Sequence, residues 1–251
     1  MSERLAVVVP FYNEPEINRT LDGLFMQSYR RDVNHYLVDN GSTDETRGVI
    51  EKFRKDHEGF PLRIIEEEQK GTGAAADTGF TAAIQDGYTW VARTDADSVP
   101  NAYWSAAIVN SFALNPGVRL VSGRITALQD RDYRAGDRLL LPASISAARL
   151  VLSIRHLDLD YLNVANGANM ATSAETYGEI GGFKRSTIDE ADEDIEYSLA
   201  VIKRFGKSTI HRDPSAIVAT SMRRIREYGL VGTAIHHLFP TTRKNRDVDV
   251  R

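Results

Sequence analysis

The chain has 251 residues, no cysteine and a formal net charge of −4 at pH 7. The lack of cysteine excludes disulfides, thiolate zinc sites and a cysteine nucleophile, and the net charge argues against general nucleic-acid binding. With 42% hydrophobic residues the chain can bury one full core, so we expect a single domain. The apolar run near the N-terminus is too short for a signal peptide or a membrane span, which favours a cytoplasmic protein.

Strands and helices alternate through the first half of the chain. Short β-rich apolar runs predict strands, and the stretches between them have the caps and the spacing of helices. The predicted strands are 5–9, which ends at Pro10, then 36–38, 62–65, 88–93 and 118–123. The predicted helices are 14–27, a segment from the 40–44 turn towards Lys55, 74–85 and 102–114. This alternation favours an α/β fold with a doubly wound, mostly parallel, Rossmann-like sheet flanked by helices.

A long, mostly apolar stretch at residues 137–162 follows the predicted sheet. Its pattern is helical, it is interrupted at Pro142, and it carries Arg138, Arg149 and Arg155. A packed helix or pair of helices is one interpretation, and a basic amphipathic face in peripheral contact with a membrane is the other. A further helix is predicted at 195–205.

Two carboxylates, Asp95 and Asp97, end the buried-strand pattern of residues 90–97. Alternating carboxylates of this kind can hold a hard divalent cation such as Mg²⁺ or Mn²⁺ through oxygen. Residues 98–101 are expected to turn the chain away at Pro100, which leaves the pair on the strand-end rim where α/β proteins bind ligands. The pair therefore predicts an anionic, phosphorylated substrate that is bound through a metal ion.

A glycine-rich segment supports a different chemistry. Gly71-x-Gly73-x-x-Ala76 fits a dinucleotide fingerprint between a strand and a helix, with Asp95 near the expected acidic spacing. This interpretation would make the chain an NAD-dependent oxidoreductase, although the segment lies in the third strand–helix unit rather than the first. A sugar nucleotidyltransferase built on a similar sheet is a second alternative.

A second acidic cluster, residues 189–194, leads into the helix predicted at 195–205. The helix dipole stabilises carboxylates at a helix N-terminus, so a solvated cap is the ordinary interpretation. Gly181 and Gly182 precede the cluster and residues 166–169 lie upstream, which indicates loops that approach a ligand closely. His211 is a candidate for an additional metal ligand, and a structural role is its alternative.

Taken in order, seven short motifs resemble those of the family 2 glycosyltransferases with the GT-A fold, which move a sugar from a nucleotide diphosphate to an acceptor. The motifs occupy residues 8–14, 38–44, 70–71 with the following Gly79, 94–97, 166–169, 180–183 and 193–196. Each motif is short, and their shared order and spacing make the combination specific. The resemblance implies one GT-A domain over residues 1–251, with a nucleotide-sugar-binding half at 1–100 and an acceptor-binding half at 101–251.

The resemblance also implies roles on the donor side, where the substrate would be a UDP- or GDP-linked sugar. The donor-binding residues would be Pro10, Tyr12, Asn13, Glu14, Asp39, Lys70, Asp95, Ala96 and Asp97. The ligands of the Mg²⁺ or Mn²⁺ ion would be Asp95 and Asp97, with His211 as the additional candidate. Asn40 stands where many members have a second aspartate, which leaves the identity of the base open. Arg223 and Arg224 form a cationic cluster that could clamp the diphosphate or be a solvated basic turn.

On the acceptor side, the resemblance implies that Asp194 is the general base, with Glu193 or Glu190 as the alternative. Attack of an acceptor hydroxyl on the anomeric carbon opposite the leaving group would invert that carbon. The acceptor-binding residues would be Asn166, Gly167, Asn169 and Glu193. No motif identifies the acceptor or the oligomeric state.

Overall fold

The computed structural model describes residues 4–29, 31–131, 133–155, 161–185, 193–223 and 226. The first elements are β1 (Leu5–Phe11), α1 (Asn18–Phe25), β2 (Val33–Asp39), α2 (Thr46–Asp56), β3 (Leu62–Glu66), α3 (Thr72–Gln85), β4 (Trp90–Arg93), β5 (Ser98–Pro100), α4 (Trp104–Leu114) and β6 (Leu120–Ala127). The later elements are α5 (Asp137–Arg155), a 3-10 helix (Tyr161–Asn163), β7 (Met170–Ser173), α6 (Ala174–Ile180), α7 (Glu193–Phe205), a second 3-10 helix (Lys207–Thr209) and β8 (Ile210–Thr220).

The strands of the described residues join one sheet in the order β3-β2-β1-β4-β7-β6-β8-β5. Strands β3, β2, β1 and β4 are parallel neighbours, and β6 is parallel to β8. Strand β7 lies antiparallel between β4 and β6, and β5 is antiparallel to β8. The predicted α/β class and the parallel first half are therefore confirmed, and the complete sheet is mixed.

Helices cover both faces of the parallel strands, and β1 places its side chains alternately in the two cores that result. Val7 and Val9 pack on one face with side chains of α1, α2 and α4. Ala6 and Val8 pack on the other face with α3, α6 and α7. Burial on both faces explains why β1 is an unbroken apolar run rather than an alternating one.

Strand β1 continues past Pro10, where the sequence pattern predicted its end. The carbonyls of Val8 and Phe11 accept hydrogen bonds from the segments after β4 and β2 respectively, so alternate residues of β1 face these two neighbours. Pro10 falls on the β4 side, and β4 ends at Arg93, opposite Val8. Proline is tolerated in a strand where no partner needs its missing N–H, and Pro10 occupies such a position.

The structure differs from the sequence pattern at three other places. Residues 98–101 do not turn away from the sheet, because β5 pairs with the end of β8. Of the two alternatives for 137–162, a single helix or a pair, the described residues show a single helix, Asp137–Arg155, which continues through Pro142 without the predicted interruption. The sequence pattern misses β7, which has only four residues, and β8, whose first half contains charged residues and a proline beside an irregularity in its pairing with β6.

The peripheral membrane contact suggested for α5 stays a prediction. Within the described residues, each helix falls short of the combined length and apolarity needed to cross a bilayer. Helix α5 does expose two large apolar side chains, Leu139 at 76% and Leu150 at 52%.

Candidate active site

The carboxyl ends of the parallel strands meet at one edge of the sheet, where α/β proteins bind ligands. Strand β1 ends at Phe11, β2 at Asp39 and β4 at Arg93. Asp95 and Asp97 follow β4, and their side chains are 37% and 29% exposed. The structure therefore places the acidic pair on the expected rim, within reach of a ligand.

The carboxylate of Asp97 is held by Thr220 at the end of β8 and by Ser98, the next residue in the chain. Its Oδ1 accepts hydrogen bonds from Ser98 Oγ at 3.2 Å and Thr220 Oγ1 at 3.4 Å. The intervening Ala96 is buried, and its carbonyl accepts a 2.7 Å hydrogen bond from Oγ1 of Thr20 in the first turn of α1. These contacts fix the backbone and one oxygen of Asp97.

Asp97 shares an arginine with Glu14, and we call Arg223, Glu14 and Asp97 the outer bridge. Arg223 Nη2 donates to Glu14 Oε2 and lies 3.7 Å from Asp97 Oδ2. Burial, together with the charge of Asp97, raises the pKa of Glu14 despite the opposing effect of Arg223. The outer bridge lines a solvent-open cleft, together with Asp130 and Ser221.

Asp95 shares a second arginine with Glu193, and we call Arg93, Asp95 and Glu193 the inner bridge. Arg93 Nη2 donates to Asp95 Oδ1 at 3.2 Å, and its Nη1 donates to Glu193 Oε1 at 2.7 Å. The side chain of Arg93 is 4% exposed and that of Glu193 is 12% exposed. Burial alone would lower the pKa of Arg93, but the charges of Glu193, Asp95 and Asp194 outweigh burial and raise it. The guanidinium therefore stays charged inside the protein.

Asp194 is held at the start of α7 by backbone donors. Gly167 N–H donates to its Oδ2 at 2.6 Å, and Ile195 N–H donates to its Oδ1 at 2.8 Å. Gly167 also lies against the inner bridge, because a Cβ at this position would be 2.8 Å from Arg93 Cζ. Each carboxylate oxygen has a second lone pair, so these hydrogen bonds orient Asp194 and still leave it able to accept a proton.

The turn after β2 shapes the predicted nucleotide end of the site. Asp39 is buried, and its Oδ1 accepts the Ser42 N–H at 2.8 Å. Asn13 has a φ of 47°, and its N–H donates to Ser42 Oγ at 3.1 Å. Lys70 Nζ lies 4.2 Å from the ring centroid of Tyr12. The structure thus brings together predicted donor residues that come from three separate loops.

Asn40 joins this turn to the loop before α3 through its side-chain amide. Its Nδ2 donates to the carbonyls of Glu67 at 3.1 Å and Gln69 at 2.8 Å, and its Oδ1 accepts the Gly71 N–H at 2.8 Å. Its own carbonyl accepts a 2.8 Å hydrogen bond from Lys70 Nζ. An ionised aspartate cannot donate, so the two carbonyls require the amide at this position.

The glycine fingerprint has a structural explanation. Gly71 precedes α3 with a φ of 136°, a conformation that favours glycine. A Cβ at Gly73 would lie 2.3 Å from the carbonyl oxygen of Lys184 and 3.3 Å from Glu193 Cβ. Because the protein itself fills the space beside Gly73, the pattern does not indicate a dinucleotide site.

Gly181 and Gly182 end α6, with φ angles of 90° and 81°. A Cβ at Gly182 would be 2.7 Å from Asp77 Oδ1 in α3, and Phe183 packs on Phe80 with ring centroids 4.9 Å apart. The close approach that these glycines predicted is therefore made to α3 rather than to a ligand.

Asn169 does not line the acceptor side as predicted. Its side chain is almost fully buried, with Oδ1 accepting a 2.8 Å hydrogen bond from Trp104 Nε1. Its Nδ2 donates to the carbonyls of Arg124 at 3.0 Å and Ala216 at 2.8 Å. The amide is thus committed to holding β6, α4 and β8 together.

Glu193 is likewise engaged with protein, because its carboxylate is the partner of Arg93 in the inner bridge. Asn166 turns the chain before β7, since its Oδ1 accepts the Ala168 N–H at 3.0 Å. Asn166 and Gly167 stay predicted acceptor residues. Arg224 and Glu190 lie outside the described residues.

His211 lies too far from the acidic pair to share a metal ion with it. It pairs with Val121 at the start of β8, whereas Thr220 at the end of β8 pairs with Ser98, next to Asp97. Their partners in β6, Val121 and Ala127, are six residues apart, so at about 3.3 Å per residue His211 and Thr220 are separated by about 20 Å. The predicted metal role of His211 is therefore wrong.

Asp95 and Asp97 suit a Mg²⁺ or Mn²⁺ site that is completed by the substrate. Both present partly exposed carboxylates, the hard oxygen ligands that these ions prefer. Within the part of the chain that the structure describes, no group of three or more His, Asp and Glu side chains is placed to hold a metal ion. Mg²⁺ commonly uses one or two carboxylates plus substrate phosphates, which matches this arrangement.

Two arginines near Asp194 were not assigned to the site from the sequence. The sequence contains one indication that Arg93 belongs to the site: it is a charged residue at the end of an apolar strand, two residues before Asp95. Arg149 in α5 is close enough to Arg212 and Asp194 to be affected by both charges. Burial and then the charge of Arg212 lower the pKa of Arg149 to about 10, against the opposing effect of Asp194.

Known proteins match this chain over most of its length. The family model "Glycosyl transferase family 2" matches residues 6–152, more than half of the chain. Glycosyltransferase AglE of Haloferax volcanii is 28% identical over 190 residues, which make up 75% of this chain and 58% of that protein. The chain therefore spans less than two thirds of this relative.

Solved structures share the fold. The mannosyltransferase PcManGT from Pyrobaculum calidifontis, in complex with GDP-Man and Mn²⁺, has a TM-score of 0.64 and 22% identity over 94% of this chain and 65% of its own. Glucosyl-3-phosphoglycerate synthase from Mycobacterium tuberculosis, in complex with Mg²⁺ and UDP, has a TM-score of 0.65 and 18% identity over 94% of this chain and 78% of its own. At such identities the likeness shows the GT-A fold alone. Because the family match covers more than half of the sequence and the fold agrees with it, the chain belongs to glycosyl transferase family 2.

Proposed function

We propose that the chain is a metal-dependent, inverting glycosyltransferase that moves a sugar from a UDP- or GDP-linked donor to an acceptor hydroxyl. The observation that carries this proposal is that Arg93 at the end of β4 pairs both with Asp95 of the donor-side pair and with Glu193, the neighbour of the proposed base Asp194 at the start of α7. The GDP-Man and Mn²⁺ bound to PcManGT, and the UDP and Mg²⁺ bound to the mycobacterial synthase, support a nucleotide-sugar donor and a divalent ion.

On the donor side, Asp39 and the turn around Ser42 would receive the base. Asp95 and Asp97 would hold Mg²⁺ or Mn²⁺, and the bound ion would act as a Lewis acid that stabilises the charge on the departing diphosphate. Arg223 lies beside Asp97 and offers a planar fork of N–H donors that suits phosphate oxygens.

On the acceptor side, Asp194 would take the proton of the acceptor hydroxyl as its oxygen attacks the anomeric carbon. The bond between that carbon and the diphosphate oxygen breaks on the opposite face, and its electron pair leaves with the diphosphate. The N–H groups of Gly167 and Ile195 hold the carboxylate in one orientation before the acceptor arrives. A positioned base of this kind contributes about 10²- to 10⁴-fold in rate.

Two substitutions separate donor binding from transfer. Thermal unfolding of the wild-type protein should shift upward with UDP or GDP only when Mn²⁺ is present. Asp97→Ala should remove that shift, because the ion loses one of its two carboxylate ligands. Asp194→Asn should keep the shift and lower turnover by about 10²- to 10⁴-fold.

An exposed carboxylate on α1 provides the control, since Asp22→Asn should change neither quantity. Stabilisation by NAD(H) without metal would instead support the oxidoreductase, and a preference for nucleoside triphosphates would support the nucleotidyltransferase. Normal turnover in Asp194→Asn would show that the base is wrongly assigned.

A further inference from the structure

Arg93 is a buried charge to which the transfer reaction gives no direct task. It ends the central strand β4, between Val8 of β1 and Met170 of β7. Arginine is rarely buried to this extent unless it is paired, and the side chain is only 4% exposed. Its partners therefore indicate what it does.

Those partners belong to the two sides of the proposed site. Arg93 holds Asp95 of the donor-side pair at 3.2 Å and Glu193 at 2.7 Å. Glu193 is the neighbour of Asp194 in the first turn of α7. Gly167 lies against Arg93 Cζ, and its N–H donates to Asp194 at 2.6 Å. Two separate connections thus link the guanidinium to the proposed base, one through Glu193 and one through Gly167.

We infer that Arg93 is a positioning residue that fixes the donor-side acid pair relative to the base Asp194. This inference rests on the proposed function. Transfer requires the anomeric carbon, held through the diphosphate, and the acceptor oxygen, held at Asp194, to meet within a narrow range of distance. The inner bridge connects the donor-side pair to the segment that carries the base. The connecting group, the guanidinium, is rigid and planar and offers an N–H group to each carboxylate.

A purely stabilising role explains the arrangement less well. Buried ion pairs are often no more stabilising than apolar residues of similar volume. Within the described residues, Arg93 Nε is also buried without a hydrogen-bond partner, which is a cost that an apolar side chain would avoid. The arrangement is better explained by the geometry that it imposes on the two carboxylates.

The test uses Arg93→Lys, because lysine keeps the charge but cannot bridge two carboxylates with a planar fork. Donor binding is measured as the Mn²⁺-dependent affinity for UDP and GDP. Turnover is measured as nucleotide diphosphate release from UDP-glucose, UDP-GlcNAc or GDP-mannose. We expect kcat to fall about 10²-fold, as for a misplacement of about 1 Å, while nucleotide affinity changes by no more than about twofold.

Arg119→Lys is the matched control. Arg119 is also shared by two glutamates, at 2.9 Å from Glu175 and 3.9 Å from Glu179. It lies directly before β6 and its partners lie in α6, away from the rim. The same substitution there should leave kcat unchanged. A fall of similar size in both variants would mean that any loss of a shared arginine perturbs the enzyme, and would overturn the inference.

A second variant covers the case in which Arg93→Lys does not fold. Glu193→Gln keeps the side-chain size and breaks the same link from the other end, so it should give the same separation of kcat from nucleotide affinity. Where both fold, the double variant should be no slower than the slower single one, because the two residues act as one unit. Wild-type turnover in a folded Arg93→Lys protein that binds nucleotide would sink this inference alone, whereas no nucleotide binding by the wild type would sink the proposed function.

Discussion

The inner and outer bridges use the same chemistry, but their arginines differ greatly in exposure. In each, one arginine is shared between one carboxylate of the Asp95/Asp97 pair and one glutamate. The side chain of Arg93 is 4% exposed, whereas that of Arg223 is 30% exposed. Solvent screens an exposed pair, while a buried pair cannot lose one member without leaving the other charge uncompensated. One acid of the pair is thus fixed by a permanent partner, and the other has a partner that a metal ion or a phosphate could replace.

The two bridges also differ in the sequence separation between the arginine and the aspartate. Arg93 and Asp95 are two residues apart, and β4 sets their separation. Arg223 reaches Asp97 from beyond the end of β8. The outer bridge therefore depends on where the segment after β8 lies, and the inner bridge depends only on the sheet and on α7.

Replacing the arginine of each bridge should give the largest difference in stability between the two bridges. Arg93→Met should lower the free energy of unfolding by about 3–5 kcal/mol, because it leaves the buried carboxylate of Glu193 without its partner. Arg223→Met should cost less, about 1–3 kcal/mol, because Arg223 is partly exposed and because Glu14, whose pKa burial already raises, can take up a proton when the arginine is lost. Urea denaturation of both variants measures the two values, and equal losses would contradict the distinction between the bridges.

Gly167→Ala tests how rigidly the inner bridge is held. The added Cβ would lie 2.8 Å from Arg93 Cζ, and a guanidinium pinned by two carboxylates cannot move aside. We expect a loss of about 1–3 kcal/mol from overpacking. Gly178→Ala in α6 is the matched control, since its Cβ would meet nothing within 4 Å, and it should stabilise the helix by up to about 1 kcal/mol. An unchanged free energy of unfolding in Gly167→Ala would mean that Arg93 can move aside.

The outer bridge should compete with a divalent ion for Asp97. In the absence of nucleotide, Arg223→Met should bind Mn²⁺ about fivefold more tightly, which corresponds to about 1 kcal/mol for a partly exposed ion pair. Calorimetric titration with MnCl₂ measures this change. The Arg223→Met protein should at the same time bind UDP or GDP with Mn²⁺ more weakly, if Arg223 is the phosphate clamp. Unchanged Mn²⁺ affinity would mean that Arg223 and the ion do not meet at Asp97.

Salt should produce the smallest difference. At about 1 M ionic strength the screening length falls to about 3 Å, which weakens exposed charge pairs much more than buried ones. The stability difference between the wild type and Arg223→Met should therefore shrink by a few tenths of a kcal/mol in added NaCl, whereas that for Arg93→Met should persist. Parallel urea titrations at low and high salt would show both.

The sequence predicts best what depends on neighbouring residues. Unbroken apolar runs such as that of β1 predict strands buried on both faces, and acids directly after such a run, as at Asp95, predict the rim. The inner bridge could not be predicted, because Glu193 meets Arg93 only after β7 has paired with β4 and α7 has packed behind them. Asn169 was misread for the same reason, since its three hydrogen-bond partners come from α4, β6 and β8.

Asn40 shows how a departure from a family pattern can have a structural cause. From the sequence, the missing aspartate bears only on which base is recognised. In the structure, the amide donates to two carbonyls and accepts one N–H, which no carboxylate can do at neutral pH. The loop before α3 therefore requires asparagine at this position, independently of which base is recognised.

The position of β7 has a consequence for how the protein is made. Strand β7 is the neighbour of β4 on one side, yet its residues Met170–Ser173 leave the ribosome long after β4 does. Until then a nascent chain carries an open strand edge in the middle of its future sheet, which is a template for association with other chains. We therefore expect a fragment of residues 1–100 to aggregate when it is expressed alone. The donor-binding and acceptor-binding halves of the site would then have different roles but fold together as one cooperative unit.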